Sequence, residues 1–241
     1  MNLLITICAR GGSKGIPFKN IKLINGKPLL EYTYNIAKKL QNDNKRVIIE
    51  LSTDDPEILK VASNLGLKTN YTRPASLATD NAGKLDAIKD VLFYSEKTNR
   101  IKFDYILDLD VSSPLRSILD IENAFKQMEV DKEALTLFSV NVANRNPYFN
   151  MVEAGDDGYY KLSKGLDSTV LSRQTAPDVY ELNASFYIMR RSFFDLAMKG
   201  VITNKSKIYL MDHICFDLDH QIDFEFMEYL ISNNKLDFIL E

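Results

Sequence analysis

Short apolar runs alternate with amphipathic stretches along most of the chain. The run Leu3–Ile7 is apolar apart from Thr6 and predicts a buried strand almost at the N-terminus. Similar runs predict strands over residues 46–53, 68–71, 103–110 and 134–140. Apolar residues at helical spacing predict helices over residues 29–41, 57–65, 85–98 and 118–129. Repeated strand–helix–strand units predict an α/β fold with a mostly parallel sheet flanked by helices.

The last third of the chain has a less regular pattern. Two glycines in the stretch 155–158 indicate a turn and suggest a hairpin around it. Residues 183–188 predict another strand, and residues 224–233 predict a helix. Ligands bind beyond the carboxyl ends of the strands in sheets of this kind, so the residues that follow each strand are the first candidates for a site.

A basic, glycine-rich loop follows the first strand. Three glycines lie within residues 11–15, and Arg10, Lys14 and Lys19 place three cations within ten residues. Glycines allow main-chain N–H groups to face outward, and the cations offset the charge of a triphosphate. The spacing fits neither the Walker A motif nor the dinucleotide-binding fingerprint. The alternative is a strand-to-helix turn that is merely basic, but surface turns seldom combine these residues in so short a stretch.

Paired acidic residues occur at two later places. Asp217 and Asp219 are separated by one residue, so on a strand both carboxylates face the same side. Such charges repel unless a cation lies between them, and hard oxygen ligands favour Mg²⁺, with Mn²⁺ as an alternative. The other interpretation, a cap for the helix over residues 224–233, suits Asp223 best.

The second acidic pair ends the strand over residues 103–110. Asp108 and Asp110 point the same way by the period of a strand. An acid at this end of a central strand lies where substrate phosphate or metal is expected. Alternatively, Asp110 with Ser112 and Ser113 caps the following helix.

Composition narrows the class of protein. The chain has 241 residues with 45% hydrophobic content, enough for a sizeable core in one domain over residues 1–241. A net charge of −3 argues against a nucleic-acid partner. Cys8 and Cys215 both sit in apolar runs and predict buried free thiols in a reducing cytoplasm. With no apolar run of membrane-spanning length and no basic leader, we expect a cytoplasmic protein with no membrane partner.

The glycine-rich loop also carries a family resemblance. The run Ala9-Arg10-Gly-Gly-Ser13-Lys14-Gly, with Lys19 and Asn20 after it, resembles the nucleotide loop of the CMP-sialic acid synthetases, cytidylyltransferases that activate nine-carbon α-keto acid sugars. Arg-Pro-x-x-Leu-Ala-x-Asp at 73–80, Ser-Pro-Leu-Arg at 113–116, an Asn-x-x-x-Tyr strand at 183–187 and Asp-x-Asp at 217–219 extend the resemblance over nearly the whole chain.

The resemblance implies a Rossmann-like fold of the nucleotide-diphospho-sugar transferase type and the transfer of CMP from CTP to the anomeric hydroxyl of the sugar, with release of pyrophosphate. It implies nucleotide contacts from Ala9, Arg10, Gly11, Ser13, Lys14, Lys19, Asn20, Arg73, Ala82 and Lys84. It implies sugar contacts from Asp110, Ser112, Ser113, Arg116, Arg173 and Tyr187. Catalytic roles fall to Arg10, Lys14, Lys19 and Asp219, and the metal ligands are Asp217 and Asp219. The proton of the sugar hydroxyl goes either to metal-bound water or to Asp219.

Several positions depart from the sialic-acid pattern. Lys84 replaces a serine, Asp110 a glutamine, Phe149 a lysine and Glu181 an arginine. The stretches 108–116 and 145–150 resemble instead the bacterial branch associated with legionaminic acid and related diamino sugars. An acid in place of an amide or arginine suits a sugar with an additional amino or amidino group. We therefore expect legionaminic acid or a related sugar.

The resemblance further implies a homodimer, formed by an arm at about residues 141–180 that also reaches the partner's sugar pocket. Three alternatives remain open from the sequence. One is a CMP-N-acetylneuraminate or eight-carbon amino-keto sugar cytidylyltransferase. Another is a nucleotidyltransferase that uses a different nucleoside triphosphate or a sugar phosphate. The third is a nucleotide-binding module without catalytic activity.

Overall fold

The structure is a computed structural model that describes residues 1–12, 15–42, 46–166, 172–196 and 198–240. Its strands are β1 (Leu3–Cys8), β2 (Leu23–Ile24), β3 (Lys27–Pro28), β4 (Val47–Ser52), β5 (Tyr105–Asp110), β6 (Thr136–Val142), β7 (Val152–Ala154), β8 (Tyr160–Leu162), β9 (Tyr180–Arg190) and β10 (Ser206–Leu210). Its α-helices are α1 (Leu29–Gln41), α2 (Pro56–Leu65), α3 (Lys84–Asn99), α4 (Ile118–Val130) and α5 (Gln221–Ser232).

The described residues form a central sheet of six strands in the order β10-β6-β9-β5-β1-β4. β1 pairs in parallel with both β4 and β5, whereas β9 runs antiparallel to β5. The register places Cys8 beside both Ser52 and Asp110, so three carboxyl-terminal strand ends lie side by side. This confirms the expected α/β fold with a mostly parallel sheet, and it defines one edge where ligand-binding loops meet.

The helices pack on the central sheet through apolar side chains. β1 is almost wholly buried because helices cover both of its faces. Ile7 and Leu109 belong to the larger core cluster, with Leu29 and Leu30 of α1. Leu4 and Ile106 point to the other face, where Ile88 of α3 packs. The strand ends are therefore held on a rigid base.

Local signals explain the helix ends. Asp55 accepts hydrogen bonds from Glu57 N and Ile58 N at the start of α2, and Gly66 ends this helix with φ of 92°. α4 starts at a capping box formed by Ser117 and Asp120. The interpretation that Asp110, Ser112 and Ser113 cap α4 is therefore wrong. These residues make their own tight turn at the end of β5.

The predicted strand over residues 68–71 and the strand conformation assumed for Asp217 and Asp219 are both absent from the described structure. Residues 68–71 lie in an irregular stretch. The acidic pair Asp217 and Asp219 lies in an extended segment outside the sheet, held to the end of β5 by the hydrogen bond from Leu218 N to Ser112 O at 2.8 Å.

The described chain divides into two compact units, one of residues Met1–Ser139 with Asn183–Glu241 and the other of Val140–Leu182. The smaller unit holds the antiparallel pair β7 and β8, which confirms the hairpin expected around Gly158. Its range is close to the arm expected at about 141–180, whereas a dimerisation role stays a prediction. Among the described residues, no helix is long and apolar enough to cross a membrane.

Candidate active site

A cavity of about 300 Å³ opens at the carboxyl ends of β1, β4 and β5, within the larger unit. Most of its walls come from the loop after β1, the stretch before α3 and the end of β5. Its lining residues are Cys8, Arg10, Lys19, Asn20, Arg73, Leu77, Thr79, Asp80, Ala82, Gly83, Lys84, Ala87, Asp110 and Ser112. The structure thus brings together eight of the residues predicted from the sequence: Arg10, Lys19, Asn20, Arg73, Ala82, Lys84, Asp110 and Ser112.

The glycine-rich loop is tied to its surroundings at both ends. Asn20 Nδ2 donates to Arg10 O at 2.9 Å, which closes the loop on itself. Gly11 N donates to Asp54 Oδ1 at 3.1 Å, beyond the end of β4. Ser13 and Lys14 lie outside the described residues, so their predicted roles remain predictions. Arg10 forms an ion pair of 2.9 Å with Asp80, on the stretch before α3.

The loop meets the acidic segment before α5. A side chain at Gly15 would place its Cβ only 2.7 Å from the main-chain oxygen of Asp219, so only glycine fits this approach without displacement. Lys19 Nζ also lies 3.3 Å from Asp219 Oδ1. The basic loop and the acidic segment, about 200 residues apart in the chain, therefore share one site.

The two acidic side chains of this segment differ in environment. Asp217 Oδ1 is buried without a hydrogen-bond partner among the described residues. Burial, together with the neighbouring Asp110 carboxylate, raises the pKa of Asp217 to about 6. The Asp219 side chain is 65% exposed, and its main-chain N–H donates to Asp223 Oδ2 at 2.9 Å. The helix α5 begins at Gln221, earlier than predicted, so Asp223 is its third residue and completes the cap by accepting from the main-chain N–H groups of Asp219 and His220. These bonds fix the backbone of the acidic pair.

An unpartnered carboxylate oxygen beside a second carboxylate fits a hard divalent cation. No group of three or more His, Cys, Asp and Glu side chains in the described part of the chain is arranged to hold a metal. An ion held by Asp217 and Asp219 would therefore take its other ligands from substrate and water, as Mg²⁺ commonly does.

Lys84 links the two acids that end β5. Its Nζ lies 2.7 Å from both Asp108 Oδ2 and Asp110 Oδ2, and 5.0 Å from the ring centre of Tyr187. Burial alone would raise the pKa of Asp110, but the Lys84 ammonium and the donors of Ser112 lower it to about 2. Likewise, burial alone would lower the pKa of Lys84, but both carboxylates raise it well above its ordinary value. Lys84 and Asp110 are therefore charged at neutral pH.

Other residues predicted to bind the nucleotide have structural partners. Arg73 is buried, with Nε donating to Ser52 Oγ at 2.9 Å and a second nitrogen donating to Ser52 O at 2.8 Å. It borders the cavity with its guanidinium fixed to the end of β4. Ala82 N donates to Thr79 O at 3.2 Å in the turn before α3. Ala9 is fully buried, and its N–H donates to Ser52 O at 2.9 Å.

The residues predicted to bind the sugar are spread more widely. Arg116 is fully buried outside the cavity lining, and its guanidinium donates to the main-chain oxygens of Ser185 and Asp110. This position gives Arg116 a bracing role under the end of β5. Ser113 is also fully buried, with Oγ 3.5 Å from Phe216 O. The side chain of Arg173 lies outside the described part of the structure.

Sequence reasoning missed Asp80, Thr79 and Cys8 as lining residues. Cys8 ends β1, where alternation along the strand could have placed it toward the cavity. Burial, with the charge of Asp108, raises the pKa of Cys8 to about 12, so the thiol is not a nucleophile at neutral pH. Asp80 ends the Arg-Pro-x-x-Leu-Ala-x-Asp motif, but the motif alone assigned it no role, because its partner Arg10 is 70 residues away.

Fold and site together define a nucleotidyltransferase: a basic loop and an acidic segment meet at the carboxyl ends of a mostly parallel sheet. The chain belongs to the cytidylyltransferase family, which matches residues 4–239.

Individual relatives agree with this assignment. The chain is 38% identical over 235 residues to a post-translational flagellin modification protein B of Campylobacter coli, covering 97% of each chain. It is also 38% identical over 235 residues to a CMP-N,N'-diacetyllegionaminic acid synthase of Campylobacter jejuni, again covering 97% of each. A solved CMP:2-keto-3-deoxy-manno-octonic acid synthetase, complexed with CTP, superposes with a TM-score of 0.68 at 16% identity, over 97% of this chain and 100% of the other. This last likeness supports the fold alone.

Proposed function

We propose that the protein transfers CMP from CTP to the anomeric hydroxyl of legionaminic acid or a closely related nine-carbon α-keto acid sugar, with release of pyrophosphate. The observation that carries this proposal is the meeting of the basic loop with the acidic segment, at Gly15 and Lys19 on one side and Asp219 on the other. A triphosphate bound here faces cations from one segment and acidic side chains from the other.

The chain's own residues have distinct parts in this reaction. Arg10 and Lys19 line the cavity and neutralise phosphate oxygens, with Ser13 and Lys14 of the same loop proposed to join them. Arg73, held rigidly by Ser52, and the turn at Ala82 border the space for the base. In-line displacement at the α-phosphorus needs positioning and charge neutralisation more than a nucleophilic side chain.

Asp217 and Asp219 are the residues that would hold Mg²⁺, with Mn²⁺ as the alternative. The buried, unpartnered Oδ1 of Asp217 and the adjoining carboxylate of Asp219 supply suitable hard oxygen donors. When bound, the ion neutralises charge on the phosphate oxygens.

The identity of the sugar is supported by the 38% identical relative named as a CMP-N,N'-diacetyllegionaminic acid synthase. It is also supported by Asp110 and Glu181, where the sialic-acid pattern has an amide and an arginine. An additional nitrogen-bearing group on the sugar is thus the feature that we expect the enzyme to select.

We also propose that the protein forms a homodimer through the β7–β8 hairpin. Directly paired residues of an antiparallel ribbon lie on the same face, so Val152, Ala154, Tyr160 and Leu162 form one apolar face of the hairpin. All four are exposed, Tyr160 at 71%, whereas Glu153 and Lys161 occupy the other face. An exposed apolar hairpin face suits contact with a second copy of the chain.

The test is pyrophosphate release from CTP and Mg²⁺, with N,N'-diacetyllegionaminic acid and N-acetylneuraminic acid as rival acceptors. We expect a higher kcat/KM for the legionaminic acid. Asp217→Asn and Asp219→Asn should each lower kcat at least about 100-fold, because charge stabilisation is lost, whereas the exposed Asp195→Asn serves as the control with unchanged rate. A preference for N-acetylneuraminic acid contradicts the sugar assignment. Release with another nucleoside triphosphate but not CTP contradicts the whole proposal.

A further inference from the structure

Lys84 stands at the first position of α3, directly after the N-cap residue Gly83. Its aliphatic part passes the cavity wall, and its ammonium reaches the two acids that end β5. The ammonium is therefore in the interior of the site and not on a solvated helix face. A lysine is a compact point charge, so it can fill a gap between two carboxylates much as a small metal ion does.

Every oxygen of these two carboxylates has a positively polarised neighbour. Thr6 Oγ1 donates to Asp108 Oδ1 at 2.7 Å, and Ser112 N and Oγ each donate to Asp110 Oδ1 at 2.7 Å. The remaining oxygen of each acid faces Lys84 Nζ at 2.7 Å. The contact with Asp110 is an aligned hydrogen bond, whereas the contact with Asp108 is an ion pair without hydrogen-bond alignment. Neither acid is free to bind another cation while Lys84 is in place.

We propose that Lys84 is a resident cation that closes the gap between Asp108 and Asp110 to divalent ions and presents its remaining N–H donors to the nucleotide. The nucleotide part rests on the proposed function, whereas the closing of the gap does not. Of the two acidic pairs, Asp217 and Asp219 are then the pair that remains open to a divalent ion. Asp110 then acts on the ligand through the lysine that it orients, so Lys84 takes the ligand-facing place that the sequence assigned to Asp110.

A simpler role for Lys84 is to neutralise the fully buried Asp108. Two observations go beyond that role. The side chain of Lys84 is 35% exposed and lines the cavity, although neutralising Asp108 alone would not require any exposure. An ammonium also has three donors, of which the two carboxylates take at most two, so at least one donor remains for a ligand.

The test counts divalent ions with Mn²⁺ alone, by electron paramagnetic resonance of the free ion in a titration of the whole protein without nucleotide. We expect Lys84→Met, which keeps the length of the side chain and removes its charge, to bind about one more Mn²⁺ per chain than the wild type, because two facing carboxylates are then open. Lys84→Met combined with Asp110→Asn leaves a single carboxylate and should lose this extra ion. An equal count in the wild type and Lys84→Met overturns the proposal.

Tb³⁺, another hard cation, locates the extra ion. An ion in the place of the Lys84 ammonium lies about 5 Å from the Tyr187 ring, which is close enough for the ring to sensitise Tb³⁺ emission. We expect emission excited through tyrosine to rise in Lys84→Met and to fall again when Tyr187→Phe is added. A rise that Tyr187→Phe leaves unchanged places the ion elsewhere and counts against the proposal.

Failure of the proposed function gives a different pattern. If Asp217→Asn leaves the wild-type Mn²⁺ count unchanged while Lys84→Met still gains an ion, the metal assignment fails and the inference about Lys84 stands.

If Lys84→Met does not fold, Mn²⁺ binding to variants that keep Lys84 still tests the proposal. A wild-type Mn²⁺ ion that survives Asp217→Asn with Asp219→Asn but is lost with Asp110→Asn would show that Lys84 does not close the gap. A titration of CTP without metal tests whether Lys84 contacts the nucleotide. The Kd for CTP should rise about tenfold or more in Lys84→Met, because one charge-assisted contact is lost.

Discussion

The close approach of Gly15 to Asp219 yields the sharpest prediction from this structure. In Gly15→Ala the new methyl group would lie 2.7 Å from the main-chain oxygen of Asp219. Ordinary van der Waals contact between such atoms begins near 3.4 Å, so the loop and the acidic segment must separate by roughly 0.7 Å. The neighbouring atom is backbone, and Asp223 holds the same backbone through the N–H of Asp219. The strain therefore cannot be relieved by rotating a side chain.

This displacement separates the residues that bind phosphate from the proposed metal ligands. A misplacement of about 1 Å between catalytic groups can cost about 100-fold in rate. We therefore expect kcat/KM of Gly15→Ala to fall by about 10- to 100-fold, equivalent to roughly 1.4–2.7 kcal/mol. Overpacking typically costs about 1–3 kcal/mol of stability, so urea unfolding should show a modest loss. Initial rates of pyrophosphate release with CTP and the sugar, measured at saturating and limiting Mg²⁺, test the first expectation.

Gly200→Ala is the matched control outside the site. No heavy atom of the described residues lies within 4 Å of the Cβ position at Gly200, and no left-handed φ restricts the residue there. Its kcat/KM should remain within about twofold of the wild type, with stability unchanged or raised by about 0.4–1 kcal/mol. Equal losses in the two variants, or full activity in Gly15→Ala, would refute the contact between loop and acidic segment as the basis of the site.

Two further predictions concern stability and assembly. His213 Nε2 lies 2.9 Å from Asp120 Oδ2; burial would lower the pKa of His213, but this bond raises it, and the same bond helps to lower the pKa of Asp120. The ion pair therefore stabilises the fold above the pKa of Asp120, and this stabilisation is lost as pH rises through the raised pKa of His213. We expect His213→Gln to lower the free energy of unfolding in urea by about 1–2 kcal/mol at pH 5.5 and by less at pH 8.5. An equal loss at both pH values would count against the ion pair. Tyr160→Glu, on the apolar face of the hairpin, should shift the protein from dimer toward monomer in light scattering, whereas Lys161→Glu on the opposite face should not. A dimer that survives Tyr160→Glu, or a monomeric wild type, would contradict the proposed dimerisation arm.

Much of the fold could be predicted from the sequence because its signals are local. The apolar run before the glycine-rich loop became β1, and α1 covers the range that its helical periodicity indicates, Leu29–Gln41. Asp55 and Gly66 flank the ten residues of α2 and mark both of its ends. Each of these elements carries its cap or its period in its own residues, so no tertiary contact is needed to recognise it.

The segment with Asp217 and Asp219 shows where local reasoning fails. Alternating acids predict a strand, but a strand also needs a neighbour with free main-chain groups. Here, among the described residues, the chain after β5 offers one main-chain to main-chain hydrogen bond, from Leu218 N to Ser112 O, and the segment remains irregular. The two acids nevertheless reach the site, because Leu218 between them is buried in the core and its N–H is bonded to Ser112 O beside the cavity.

Long-range ion pairs were equally hidden. Lys84 follows a polar stretch and looks like an ordinary first-turn residue, yet its partners are Asp108 and Asp110 on β5. Arg116 resembles a sugar-binding arginine by its motif, yet its guanidinium is fully buried and bonded to main-chain oxygens. Both cases depend on which strand end the side chain meets, and that follows from the sheet order and not from nearby residues.

These ion pairs imply a coupling between metal and nucleotide under the proposed function. In the described part of the site, Arg10 is paired with Asp80, Lys19 with Asp219, and Lys84 with Asp108 and Asp110. A triphosphate bound by Arg10 and Lys19 thus replaces the carboxylate partners of these two residues. When Lys19 binds a phosphate oxygen, its ion pair with Asp219 is broken, and Asp219, one of the two proposed metal ligands, becomes free to bind metal. Since a metal ion on Asp219 frees Lys19 in the same way, each ligand removes a competitor of the other, and the two should bind cooperatively.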